Sequence, residues 1–192
     1  MKLRCGWADG DPMYEKYHDE EWAVPLYDDT LLFEFLLLEG FQAGLSWITI
    51  LKKRDHYRRV MDAFNPEKIA RYDEAKIQVL LTDKGIIRNQ SKIRGAVSNA
   101  RCFQSLQDDG SCFSDYVWSF VDGKVIEHQF TSLNQVPSSD ARSIQMSKQL
   151  KKDGFTFVGP TICYAFMQAT GMVNDHLVSC FRHQECRAID DF

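Results

Sequence analysis

Between Asp28 and Gln42 the chain reads DDTLLFEFLLLEGFQ, and no other stretch limits its fold so strongly. Leu31, Leu32, Phe35, Leu36 and Leu38 follow the start signal Asp28-Asp29 at spacings that gather them on one broad face of a helix. The helical period then persists. After Ser46, a candidate N-cap, the residues Ile48, Leu51, Tyr57, Val60, Met61 and Phe64 continue it, and Asn65-Pro66 and Asp73-Glu74 each open a further short helix. The pattern breaks between Thr82 and Gln90 and resumes with Ile93, Val97, Ala100, Phe103 and Leu106, which predicts helix, short hairpin, helix. Further helices are expected from Phe113, up to about Gly154, and from Pro160 to Gly171; only Val125 to Phe130 offers a strand pair. The expectation is an all-α chain without repeats, with the polar loop 122–139 as its one plausible linker.

A chain of 192 residues can bury one substantial core, or two small helical lobes around a cleft. Apolar residues make up 44% and the formal charge is −4, so net charge does not announce a nucleic-acid binder. Basic residues nevertheless cluster in Lys52–Arg59, Asp83–Arg94 and Lys148–Lys152, as solvated helix faces or as phosphate contacts. The opening MKLRCGWADGDP has no apolar core of a signal peptide, and the long apolar runs are interrupted by Glu34, Glu39 or Gln168, so no bilayer span is expected. A cytoplasmic location follows as the expectation. In a reducing compartment six cysteines do not make a disulfide framework, which leaves metal binding or plain burial. Cys102, Cys112 and Cys163 read as core, and Cys186 as a bystander in a polar tail.

Cys5 and His18 lie near one end of the chain, and His176 and Cys180 near the other. The last two are four apart, a spacing that puts both on one face of a helix. Together the four make a Cys2His2 set suited to a closed structural zinc site; burial alone is the competing reading. Glu39 ends the apolar run, either as a surface cap or pair, or in a pocket where it must find a partner. Trp7, Tyr14, Tyr17, Trp22 and Trp47 crowd the first quarter of the chain, as core or as walls for a flat cationic ring. Gly40, Ala43 and Gly44 would let backbone approach a ligand closely.

Five blocks, RCGW…DPMYEKYHDEEW, EGFQAGLSWITILKKR, GIIRNQSKI, GFTFVGPTICYAFMQATG and VNDHLVSC, closely resemble, in order from about Arg4 to Cys180, the type I DNA-3-methyladenine glycosylases of bacterial base-excision repair. The resemblance implies an all-α helix-hairpin-helix DNA glycosylase forming a single unit over 1–192. It implies one structural Zn2+ on Cys5, His18, His176 and Cys180, clipping the N- and C-terminal regions together. The base pocket falls on Glu39 and Tyr17 with Trp7, Tyr14, Trp22 and Trp47. The implied reaction is hydrolytic release of 3-methyladenine from alkylated double-stranded DNA without strand cleavage and without a nucleotide cofactor; with no obvious interaction segment in the sequence, a monomer is the default expectation. Glu39 would act as an ionised acceptor for the base rather than as the base that activates water. In the hairpin, Gly85 would permit a tight turn, the amides of Gly85 to Arg88 would meet phosphates, and Arg88 and Lys92 would add charge. Gly44 and Leu45 would reach the gap left by the extruded base. Asp108 and Asp109 receive no role. Ala23 departs from the family's usual glycine, and the chain beyond Cys180 matches poorly. A non-catalytic DNA-damage-binding module is the competing reading; a zinc hydrolase would need an open coordination position, against which four protein ligands argue.

Overall fold

The computed structural model of this protein describes residues 2–190. Helices α1 (Pro12–Glu20), α2 (Asp29–Gln42), α3 (Trp47–Leu51), α4 (Arg54–Val60), α5 (Pro66–Ala70), α6 (Glu74–Thr82), α7 (Gln90–Asp108), α8 (Phe113–Trp118), α9 (Ala141–Lys152), α10 (Pro160–Ala169) and α11 (Phe181–Asp190) follow one another. Many start where a short polar side chain can take an otherwise unpaired backbone N–H. Asp11, Asp28, Asn65, Asp73, Asn89 and Asp140 each accept such a bond at the first turn of their helix. Asp28→Ala should therefore cost about 1 kcal/mol, read as a fall in melting temperature of about 2–4 °C; an unchanged melting curve would show that α2 does not depend on its cap.

α2 is the centre of the molecule, with every residue from Leu32 to Phe41 buried. It packs against α3, α7, α8 and α10, so its apolar residues are covered on all sides rather than on one face. Two acids lie inside this run. Glu34 is paired: Arg54 Nε donates to it at 2.6 Å and Arg58 Nη2 lies 2.8 Å away, while Arg54 also bonds Glu21. Arg54 is itself buried, which corrects the reading of the tail after Trp47 as facing phosphate or solvent. A carboxylate in the middle of α2 requires a buried cation, and Arg54 supplies it.

Other sequence expectations are redrawn by tertiary contacts. The strand near Val125 does not pair locally: β1 (Ile126–Glu127) runs parallel to β2 (Val173–Asn174). The 122–139 segment is no linker, because the Phe130 carbonyl accepts from Val178 N–H and Leu133 and Val136 line the main cleft. His176 and Cys180 do not share a helix. They lie in the turn between β2 and α11, where Cys180 N–H bonds the Leu177 carbonyl. The period from Ile48 to Phe64 is broken into α3, α4 and a 3-10 turn, with Asp62, Ala63 and Phe64 in the left-handed region. Cys163 is buried as expected and Cys102 is half-buried. Cys112 is exposed, at the start of α8 with its thiol on Asp29, whereas Cys186 is buried, because α11 turns it onto the core. Among the described residues no helix is long and apolar enough to cross a membrane.

Candidate functional site

A cleft of about 310 Å3 opens beside the end of α2. That is at the small end of small-molecule pockets, about 300–1,000 Å3, and suits one flat heterocycle. Its lining contains all six residues expected of a base pocket, Trp7, Tyr14, Tyr17, Trp22, Glu39 and Trp47. α1 supplies Tyr14 and Tyr17 from adjacent turns, the last turn of α2 supplies Glu39, and α3 begins with Trp47. The rings brace one another. Trp7 meets Tyr14 at 4.9 Å and Trp22 at 5.0 Å, Tyr17 meets Trp47 at 5.3 Å, and Phe35 lies behind Trp47 with its plane only 16° away.

Glu39 is unlike Glu34. It is 4% exposed, its Oε2 has no hydrogen-bond partner among the described residues, and burial pushes its carboxyl up to about 8. Burial therefore favours the neutral form of this carboxyl in the empty cleft, and a cation entering beside it would favour the charged form. Tyr17 and Tyr14 are both held above the usual phenol range, first by burial and then by the charge of Glu39. The Trp47 indole Nε1 is also buried without a partner among the described residues. Unpaired buried polar atoms beside a cleft are costly in isolation and point to a ligand that pairs them.

The sequence reading missed part of the lining: Gln42, Leu133, Val136, Ala165, Gln168 and Asp175. Gln168 had left a trace as the one polar interruption of the α10 apolar run. Asp175, 1% exposed, accepts from His128 Nδ1 at 2.6 Å, Tyr164 hydroxyl at 2.8 Å and Gln168 Nε2 at 2.8 Å.

Next to the cleft, Cys5, His18, His176 and Cys180 are all buried, with their ligand atoms within 4.8 Å of one another. The cluster could hold a metal ion. Cys5 Sγ is 3.7 Å from His176 Nδ1, and Cys180 Sγ is 3.4 Å from His18 Nε2 and 3.6 Å from His176 Nδ1. Tetrahedral bonds of about 2.3 Å to sulfur and 2.0–2.1 Å to nitrogen would set sulfur and nitrogen about 3.5 Å apart. The outer nitrogens are occupied too: His18 Nδ1 pairs with Asp19 at 2.8 Å and His176 Nε2 with the Trp22 carbonyl at 3.2 Å. Those partners leave each inner nitrogen as the unprotonated one, as a ligand needs, and the His18 Nε2 lone pair accepts from Cys5 N–H at 3.3 Å. Asp19, in turn gripped by Arg4, was missing from the sequence reading. The hydrogen bond between the two thiols raises Cys5 and lowers Cys180, and the His176 and His18 rings lower Cys180 further. Trp22 packs edge-on against His176 at 4.6 Å, so the cluster and the cleft share a wall.

The residues expected to grip DNA lie around the cleft rim and the segment between α6 and α7. Gly44 has φ +79° and Leu45 is 43% exposed. Gly40, expected to admit a ligand, is instead buried against Phe157, where an added Cβ would meet that side chain at 3.2 Å. Gly85 is needed for a close approach rather than for a turn, since a Cβ there would lie 2.3 Å from the His56 ring. Its N–H is bonded to Asp83, and Ile87 N–H to the Tyr57 hydroxyl, so those two amides are engaged inside the protein. Arg88 is exposed. Lys92 spends two donors on the Phe41 and Ala43 carbonyls, at 2.9 and 2.6 Å, and so ties α7 to the loop carrying Gly44 and Leu45.

This is a helical domain whose aromatic cleft carries a buried carboxyl with one oxygen unpartnered among the described residues, an arrangement with room for a flat ring that brings its own hydrogen-bond donors. The chain belongs to the methyladenine glycosylase family, whose model matches residues 7–183. It is 51% identical over 177 residues to DNA-3-methyladenine glycosylase 1 of Escherichia coli, spanning 92% of this chain and 95% of that one. It is 45% identical over 180 residues to the DNA-3-methyladenine glycosylase of Haemophilus influenzae, spanning 94% and 97%. A crystal structure of 3-methyladenine DNA glycosylase I superposes with TM-score 0.92 at 51% identity, covering 93% of this chain and 98% of that chain. The Staphylococcus aureus enzyme, studied for its recognition of 3-methyladenine, superposes with TM-score 0.88 at 38% identity, covering 93% and 95%. In the left-handed position that Ala23 occupies, φ is +61°, the conformation that the family's usual glycine would take without strain.

Proposed function

We propose that this chain is a DNA repair glycosylase that flips 3-methyladenine out of alkylated double-stranded DNA and hydrolyses its bond to the sugar. The observation that carries the reading is Glu39, buried and unpaired on an aromatic cleft the size of one base. Methylation at N3 gives adenine a positive charge, which makes the base a good leaving group before any acid acts. Trp7 and Trp47 offer it ring faces worth about 0.5–2 kcal/mol that neutral adenine would not gain. Entry of a cation lowers the cost of ionising Glu39, which then accepts from the exocyclic amine while Tyr17 meets the ring edge. The bond from the base nitrogen to C1′ breaks with its electron pair passing to the base, which departs neutral. Water adds at C1′ and its proton leaves to solvent. The charge that held the base is thereby removed, which favours release of the product.

Around this chemistry, α6, the segment 83–89 and α7 act as a helix-hairpin-helix grip on the DNA backbone. Among the described residues the amide of Arg88 makes no internal bond, and this exposed residue would offer both that amide and its charge to phosphate. Leu45, exposed on the loop that Lys92 anchors, fills the space the base vacates. The Cys5, His18, His176 and Cys180 cluster holds one structural Zn2+, whose four protein ligands leave no position for a reacting water. The protein works as a cytoplasmic monomer and as a single unit.

A chromatographic glycosylase assay on methylated duplex tests this reading. Wild type should release 3-methyladenine and leave the strand intact, while Trp47→Ala should lose roughly 3- to 30-fold in rate through the missing ring face. Folded protein that binds the duplex but releases no base would instead identify a damage-binding module.

A further inference from the structure

Glu39 cannot by itself decide which purine enters, because a carboxyl offers an acceptor when ionised and a donor when protonated. Gln168 carries the same ambiguity in principle, since a free amide can turn either its oxygen or its NH2 to a ligand. Here it is pinned. Gln168 Nε2 donates to Asp175 Oδ2 at 2.8 Å, and the acid is held in place by His128 at 2.6 Å and Tyr164 at 2.8 Å. Turning the amide over would set its carbonyl oxygen against that carboxylate. The oxygen Oε1 is therefore the atom left to face outward, and among the described residues it accepts from no protein group. Both Gln168 and Asp175 line the same cleft as Glu39.

We infer that Gln168 is a specificity-determining residue for the six-position of the bound purine, with Asp175 as the positioning residue that makes it an obligate acceptor. Adenine carries an amino donor at that position and guanine or hypoxanthine an oxo acceptor. A fixed carbonyl oxygen bonds the first and repels the second, so the cleft reads 6-amino from 6-oxo purines as well as charged from neutral ones. This inference rests on the base-pocket reading above.

The test is a tryptophan-fluorescence titration of the purified, metal-replete protein with 3-methyladenine and 3-methylhypoxanthine, which differ in the group at that position and in the ring proton the oxo form carries. Wild type should prefer 3-methyladenine, and Gln168→Leu should shrink the preference by about tenfold through weaker binding of 3-methyladenine. Asp175→Asn frees the amide to turn over and should raise affinity for 3-methylhypoxanthine, a gain that damage to the fold does not produce. If wild type prefers 3-methyladenine and both variants keep its ratio, the assignment of Gln168 and Asp175 is overturned while the pocket stands. If wild type binds neither base, the pocket reading fails and the inference falls with it.

Discussion

Glu39→Gln is expected to melt higher than the parent at pH 8 and to have lost most of its glycosylase activity. The carboxyl stands near 8 in the folded protein against an ordinary 4.5 because it is buried. The folded state therefore binds more protons than the unfolded chain between these two values. Stability contributed by this group is fully present below about 4.5, is lost as pH rises towards 8, and changes no further above it. Glutamine does not titrate and keeps the shape, so the gap in melting temperature should be small at pH 5 and widen to several degrees at pH 8. The same change removes a charged acceptor from the base, worth about 1.5–3 kcal/mol, or on the order of 10- to 100-fold in activity. Saturating 3-methyladenine should reverse the order of the melting curves by stabilising the parent alone. A gap that stays flat from pH 5 to pH 8 would mean that Glu39 is already ionised in the free cleft.

Removing the proposed zinc from the Cys2His2 cluster should have the second large effect. The cluster brings Cys5 and His18 against His176 and Cys180, so an ion there would join the chain's two ends. Structural zinc contributes folding free energy directly, about 10–16 kcal/mol in small peptides; in a domain with its own core a loss of about 4 kcal/mol, or 10 °C or more, is the expectation. Cys180→Ser, or a strong chelator, should produce that fall in thermal melts, and elemental analysis should find one zinc per chain in untreated protein and none in the variant. Since Trp22 packs on His176 and also lines the cleft, base binding should weaken in parallel. Full stability in metal-free protein would make the four side chains a packed core rather than a clip.

Much of this site was legible because its residues are close in sequence or chemically unusual. Helix starts could be read from Asp28, Asn65 and Asp73, since a cap is a local interaction between residues three apart. Glu39 could be singled out because an acid inside an apolar run needs an explanation. Glu34 needed one as well, and the sequence did not distinguish the two. What separates them is Arg54, twenty residues away, which pairs with Glu34 and leaves Glu39 alone.

By itself, then, the sequence determined the helical class and the helix starts, which depend on period and capping and act over a few neighbours; its likeness to a known family singled out the aromatic and acidic residues of the cleft and the four clustered Cys and His side chains. Only the tertiary structure decided which acid is paired, that Lys92 holds a loop, that His176 and Cys180 meet in a turn, and that Asp175 fixes Gln168. Each of those is a contact between distant segments, set by how buried polar atoms share a limited number of partners.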